Sequence, residues 1–255
     1  IILVFLLPAI SILTLLPIPN NKALYAEPPA GDLTWSQVNT DGFGDPTNYS
    51  TYKMAEYNES IYAGLWTNSG AKVFKYDGVS WNEITPSWDS GNSGVNSIAV
   101  YNNTLCVGTH NMTTGAEVWQ YVGESWIQIN TDGFGDSSCN AVDSMAVYNG
   151  NLYAGVASTS GVKIFKYDSG TTWIQVNDDG FGDLNNTRAF SMAEYSGALY
   201  VGTANTTDGA EIWEYNGSSW DQKTSAWDSS VPTARSMCVY NGCPVSYTHL
   251  RAHET

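Results

Sequence analysis

The residues of this chain best suited to chemistry come in copies. Asp41-Gly42-Phe43-Gly44-Asp45 recurs at Asp132 to Asp136 and at Asp179 to Asp183, each preceded by an asparagine: Asn39, Asn130 or Asn177. Two carboxylates and an amide oxygen within seven residues, spaced by glycines that let the backbone fold inward, make an oxygen-rich set suited to calcium. The pattern is not that of an EF-hand and lacks its closing bidentate Glu. A structural reading competes with it and is the stronger. Glycines supply positive φ, Asp caps the turn, and Phe43, Phe134 and Phe181 tuck between packed units. Asp41, Asp45, Asp132, Asp136, Asp179 and Asp183 are carried forward as the calcium candidates; no other cofactor is expected.

A second repeated set is rich in Asn and Thr, as in Thr203 to Asp208 and Thr109 to Thr114. Asn111 and Asn205 there offer amides to sugar hydroxyls, and Trp66 and Trp88 are candidate stacking platforms. For any single loop, a solvated turn explains the same residues. Asn-x-Ser/Thr sequons at Asn48, Asn58, Asn102, Asn111, Asn185, Asn205 and Asn216 would permit glycosylation in a suitable host.

A catalytic constellation is not legible. His110 is the only histidine outside the last residues, there is no G-x-S-x-G, and no phosphate-binding glycine loop precedes a helix. Ser87-Trp88-Asp89-Ser90-Gly91 superficially resembles the Asp-box of sialidases, but its closing Trp is absent. Arg188 and Arg235 alone are not expected to assemble an arginine cluster for a carboxylate substrate. Catalytic sites are usually unique, whereas equivalent repeated sites suit multivalent binding. The chain is therefore expected not to be an enzyme.

These loops must hang on a repeated scaffold. Trp35, Trp81, Trp126, Trp173 and Trp220 open similar segments 46, 45, 47 and 47 residues apart, a period that marks propeller blades or other stacked arrays. Ser144 to Tyr148 matches Ser97 to Tyr101, Ser191 to Tyr195 and Ser236 to Tyr240; Leu152 to Gly155 matches Ile61 to Gly64, Leu105 to Gly108 and Leu199 to Gly202. Turn pairs such as Asn149-Gly150 and Ser196-Gly197 join the two pieces, and Asn-Gly favours the type I′ turn of a tight hairpin. In a third piece, Ala210 to Tyr215, apolar residues occupy both faces, so the sheet must be covered on both sides. A fourth strand begins at each marker Trp.

Four antiparallel strands per unit predict an all-β fold, a β-propeller with an incomplete ring of four full blades plus partial strands. The blades are expected at 52–85, 97–130, 144–177 and 190–224, with a fifth begun at Ser236 and Trp35 to Asn39 left as an orphan outer strand. In such a blade the second-to-third loops and the blade-to-blade crossovers share one face. Here these are the longer loops, so that face is the expected binding face.

From Trp35 to about Gly242 the chain resembles kelch-like and tachylectin-type propeller repeats of secreted and surface proteins, on its Tyr-Asn-Gly hairpins and Gly-Ala-Glu-Ile-Trp strands. The resemblance is architectural: the double glycine of true kelch repeats is missing, so kelch partners are not implied.

Composition bounds the rest. The 255 residues carry a formal charge of −15 with only three arginines, which argues against nucleic acid and anionic lipid as partners. Residues 1–26 read as a partial export signal with Ala26 at the cleavage site, leaving no membrane insertion after its removal. Residues 27–242 form the repeat region, and 243–255, with His249 and His253, match no repeat position and resemble a sequencing or assembly artefact. Cys106, Cys139, Cys238 and Cys243 lack metal-type spacing and read as small core residues. The expected function is a secreted or cell-surface, non-catalytic module for glycan or protein ligands. The alternatives are a surface-layer or spacer propeller, then a propeller hydrolase or lyase.

Overall fold

The computed structural model describes residues 3–5, 36–241 and 243–249. Most of the segment read as an export signal, and the last residues of the tail, lie outside them. Strand β1 (Leu3–Phe5) is followed by four units of four strands. The first holds β2 (Asn48–Tyr57), β3 (Ser60–Thr67), β4 (Lys72–Tyr76) and β5 (Trp81–Glu83). The second holds β6 (Asn92–Tyr101), β7 (Thr104–Asn111), β8 (Val118–Val122) and β9 (Ser125–Gln128). The third holds β10 (Cys139–Tyr148), β11 (Asn151–Ser158), β12 (Lys163–Ser169) and β13 (Thr172–Gln175). The fourth holds β14 (Arg188–Tyr195), β15 (Ala198–Ala204), β16 (Ile212–Tyr215) and β17 (Trp220–Gln222). A fifth unit contributes β18 (Thr233–Tyr240) and β19 (Cys243–His249).

Each full unit is an antiparallel meander, with the second strand paired to the first and third, and the third to the fourth. This is the propeller blade that the repeat predicts. The tail differs from expectation: Cys243–His249 takes the second-strand place of the fifth unit, pairing Tyr240 with Cys243 as Tyr148 pairs with Asn151, and β19 also pairs with β1.

The hairpin turns adopt the left-handed backbone expected of type I′. Asn149 and Gly150 have φ of 47° and 71°, and Ser196 and Gly197 have 51° and 77°. In the first unit Glu59 takes the glycine's place at φ 58°, where a Cβ crowds the following carbonyl. Glu59→Gly is expected to stabilise the chain by about 0.5–1 kcal/mol, because the strain removed exceeds the added entropy of the unfolded glycine. A denaturant midpoint that falls would show the turn to be unstrained.

Blades pack face to face, which accounts for apolar residues on both sides of each strand. Cys106, Val118 and Ile129 of the second unit form one core with Val142, Ala154 and Phe165 of the third. Tyr148, Tyr153 and Ile164 of the third join Ala189, Leu199 and Val201 of the fourth. Burial pushes the Cys106 and Cys139 thiols up to about 12 and about 11, as befits core residues, whereas Cys238 is exposed and Cys243 half-buried, which corrects the core reading for those two.

Two repeated hydrogen bonds lock neighbouring blades. The inner-strand serines donate to the next blade's backbone: Ser97 to Val142 O, Ser144 to Ala189 O and Ser191 to Ala234 O, at 2.7, 2.6 and 2.9 Å. The marker tryptophans donate outward to the preceding unit: Trp126 to Ile84 O, Trp173 to Ile129 O and Trp220 to Val176 O, at 2.6, 2.8 and 2.7 Å. Trp81 Nε1 has no such partner among the described residues.

Candidate functional site

One repeat position breaks the chemical monotony of the scaffold. In every inner strand the pairing slips by one residue just before the serine position: between Thr51 and Lys53, Val95 and Ser97, Val142 and Ser144, Ala189 and Ser191, and Ala234 and Ser236. The residue left out of register is Tyr52, Asn96, Asp143, Phe190 or Arg235. Such a bulge re-aims the side chain of its extra residue. All five, with Ser50, Thr51 and Lys53, line a single cavity of about 390 Å³ at the centre of the blades.

A polar chain that includes two of the cavity's lining residues, Asn96 and Asp143, crosses blade boundaries. Trp66 Nε1 donates to Asn96 Oδ1 (2.7 Å), and Asn96 Nδ2 donates to Asp143 Oδ1 (2.9 Å). Arg188 grips the same carboxylate with both arms of its fork, Nη2 to Oδ1 at 2.6 Å and Nε to Oδ2 at 2.7 Å. The Asp143 side chain is only 1% exposed, so a bidentate partner is what keeps its charge tolerable there.

Arg188 and Arg235 stack on Phe190, at 4.7 and 4.8 Å from the ring centre. The two arginines stand 47 positions apart in the chain, but successive inner strands place them around one ring; Arg188 is committed to Asp143, which leaves Arg235 without a salt bridge among the described residues. Lys53 replaces the inner-strand serine in the first unit. Burial is the main influence lowering its ammonium pKa; nearby Asp143 opposes the shift and Arg235 adds to it. Among the described residues neither Lys53 nor Arg235 forms a salt bridge. Tyr52 is 47% exposed and stacks on Trp66 with ring centres 5.6 Å apart. On its other contact Trp66 meets His110 at 4.7 Å, and His110 Nδ1 lies 2.8 Å from Ser93 Oγ. Burial, then Arg188, lowers the His110 pKa, which favours the neutral ring.

The candidates named from sequence are placed as follows. Trp66 does not line this cavity but braces two residues that do, Asn96 and Tyr52. Trp88 is half-buried and meets Trp119 edge-on at 6.5 Å. Asn111 and Asn205 are fully buried. Asn111 donates to Asp89 and Thr114, and Asn205 donates to Asp183, while their Oδ1 atoms accept backbone N–H groups of their own loops.

In the acidic loops, Asp41, Asp132 and Asp179 accept from Gln37, Gln128 and Gln175. Asp45, Asp136 and Asp183 accept the backbone N–H two residues on, each at 2.9 Å. The Thr47 hydroxyl, then Lys72, hold Asp45 down to about 2. Phe43, Phe134 and Phe181 stack on Phe74, Phe165 and Trp213 at 4.6, 4.4 and 4.7 Å, and meet the marker Trp edge-on. That is the packing role expected of them.

No protein-family model matches the chain, and no curated protein matches it. Solved structures do. An ancestral GH74 enzyme aligns with a TM-score of 0.54 at 15% identity, over 78% of this chain and 30% of that one. A luciferin-regenerating enzyme aligns at 0.53 and 11% identity, over 79% and 77%. The Trypanosoma rangeli sialidase, solved with 2,3-difluorosialic acid as a covalent intermediate, aligns at 0.51 and 15%, over 75% and 41%.

This chain is an all-β propeller. None of the three structures is named as a kelch or tachylectin protein, so that resemblance stands at the level of architecture. All three are enzymes, which overturns the expectation that the chain is not one; that expectation rested on repeated loops and overlooked a site built once, at the centre. No helix among the described residues is long and apolar enough to cross a membrane.

Proposed function

We propose that this chain is a glycan-active propeller that takes an acidic saccharide into its central cavity. The observation that carries the reading is charge placement. The chain as a whole carries −15, yet the bulges and their neighbours bring Arg188, Arg235 and Lys53 around one carboxylate. Arg235, stacked on Phe190, forms no salt bridge among the described residues, nor does Lys53, which lines the same cavity, and this combination suits a carboxylate on a sugar ring. The bulges sit in the first halves of the inner strands, the halves that follow the long crossovers, which agrees with ligand entry from the long-loop face.

The lining also bears on the reaction class. Paired free carboxylates are the usual equipment of glycoside hydrolysis. Here Asp143 is the single carboxylate on the cavity, and both its oxygens are engaged. The lining better serves β-elimination from a uronic acid. Arg235 neutralises the sugar carboxylate, and Lys53, whose ammonium burial makes easier to deprotonate, removes the proton on the adjacent carbon in its neutral amine form. The electron pair forms a C=C bond as the glycosidic C–O bond breaks, and the departing oxygen takes a proton from water.

Titration with oligogalacturonate and with a neutral oligosaccharide of equal length tests this. Binding selective for the acidic chain, weakened roughly tenfold to hundredfold by Arg235→Ala, is the expected result. Ultraviolet absorbance of an unsaturated product reads the elimination. Equal affinity for the neutral chain would sink the site, whereas selective binding without product would remove only the chemistry.

A further inference from the structure

We infer a calcium site between the second and third blades, formed by Asp89, Glu117 and Asp132 with Asn92. The carboxylate oxygens of the three acids converge to within 4.8 Å of one another. They come from three separate segments: the crossover into the second blade, the residue just before β8 and the crossover into the third. Asp132 was among the calcium candidates, but its partners are not the acids of its own loop.

The repeat itself shows what this place calls for. Glu117 occupies the position held by Lys72 in the first blade, Lys163 in the third and Glu211 in the fourth, in the matching runs Ala71-Lys72-Val73, Ala116-Glu117-Val118, Val162-Lys163-Ile164 and Ala210-Glu211-Ile212; among the described residues only Glu117 is joined by two further acids. Lys72 reaches Asp45, the counterpart of Asp89, at 2.9 Å. Lys163 reaches Asp179, the counterpart of Asp132, at 2.7 Å. In those blades an ammonium neutralises the acids. In the second blade a third carboxylate stands in its place.

Glu117 is only 2% exposed, and three mutually close carboxylates without a counter-charge repel strongly at low dielectric. A second observation points to a ligand. Asn92 is fully buried and its Nδ2 donates to the Asp89 carbonyl at 3.5 Å, yet its Oδ1 has no partner among the described residues; its counterpart Asn48 shares that orphan oxygen in the first blade, where Lys72 holds the place of Glu117. A buried oxygen without a donor, beside convergent carboxylates, is what a cation would satisfy. Donors that are all oxygen, with flexible geometry and no nitrogen or sulfur, select a hard ion, and calcium tolerates this irregular arrangement better than magnesium. The cation thus takes over the role of the sister lysines and ties two blades together.

Terbium luminescence and thermal melting of the whole chain test the site. Trp119 Nε1 donates to Glu117 Oε2 at 2.6 Å, so a bound terbium ion should be sensitised through that indole and displaced by calcium. Trp119→Phe should lose the signal while keeping the calcium response. At a hundredfold excess over Kd, calcium should raise Tm by roughly 5–10 °C. Glu117→Gln should abolish both responses. Glu117→Lys, copying the sister blades, should melt without calcium near the temperature of the calcium-loaded parent and ignore added calcium. A parent chain whose Tm is unmoved by calcium and which sensitises no terbium would overturn the site. So would a Glu117→Lys variant that still responds to calcium.

Discussion

Arg188→Ala is expected to lower unfolding stability by about 2–3 kcal/mol, toward the low end for breaking a buried ion pair because the arginine is itself about one-third exposed. The loss comes from what is left behind. Asp143 would keep one hydrogen bond, from Asn96, for a carboxylate with almost no access to water. Neighbouring Lys53 would relieve part of the charge without replacing the fork. Removing both charges together, as Arg188→Met with Asp143→Asn, should recover most of the stability, since neutral groups do not carry the desolvation penalty of an orphaned ion. Urea titration of the two single variants and the double variant gives the coupling directly. A single variant within 0.5 kcal/mol of the parent, as a rough bound for ordinary surface changes, would mean that Asp143 reaches water or a proton more easily than its burial implies.

Gly155→Ala should cost about 2–3 kcal/mol for a different reason. A Cβ at that position would lie 2.7 Å from Ala189 Cβ and 2.8 Å from Ser144 Oγ. Ala189 has no rotamer with which to withdraw, so the third and fourth blades must separate or the Ser144–Ala189 hydrogen bond must break. Gly150→Ala, five residues earlier, meets nothing within 4 Å and suffers only from its φ of 71°, an expected cost of about 1 kcal/mol. Ala189→Gly should rescue Gly155→Ala and leave Gly150→Ala unchanged. Equal effects at both glycines, or no rescue, would show that the blades do not meet at this contact.

The blade boundaries illustrate how far a repeat can be read. Hairpins at Asn149-Gly150 and Ser196-Gly197, strands at Trp81, Trp126, Trp173 and Trp220 and packing by Phe43, Phe134 and Phe181 all follow from local chemistry, and each appears where the period puts it; residues 36–39, expected within an outer strand, form none. The inner strands nevertheless begin earlier than expected, at Asn48 in place of residue 52 in the first blade. The bulge interrupts the two-residue alternation there, and a reading based on alternation stops at the interruption. A signal was present: four of the five units carry the same serine, preceded by Asn, Asp, Phe or Arg, and the first carries Tyr52 before Lys53. Chemical variety at one otherwise regular position is what a shared cavity produces.

By itself the sequence determined the unit, its four strands, its turn chemistry and the two-sided burial of its sheets, because these depend on contacts within one period or between identical neighbours. Only the tertiary structure decided which unlike residues meet. Asp143 faces Arg188, Arg235 shares Phe190 with Arg188, and Asp89 and Asp132 close on Glu117 because blades rotated about a common centre bring together positions one period apart. Linear spacing of about 46 residues conceals that convergence, and a slip of one residue in each inner strand sets the direction in which the side chains point.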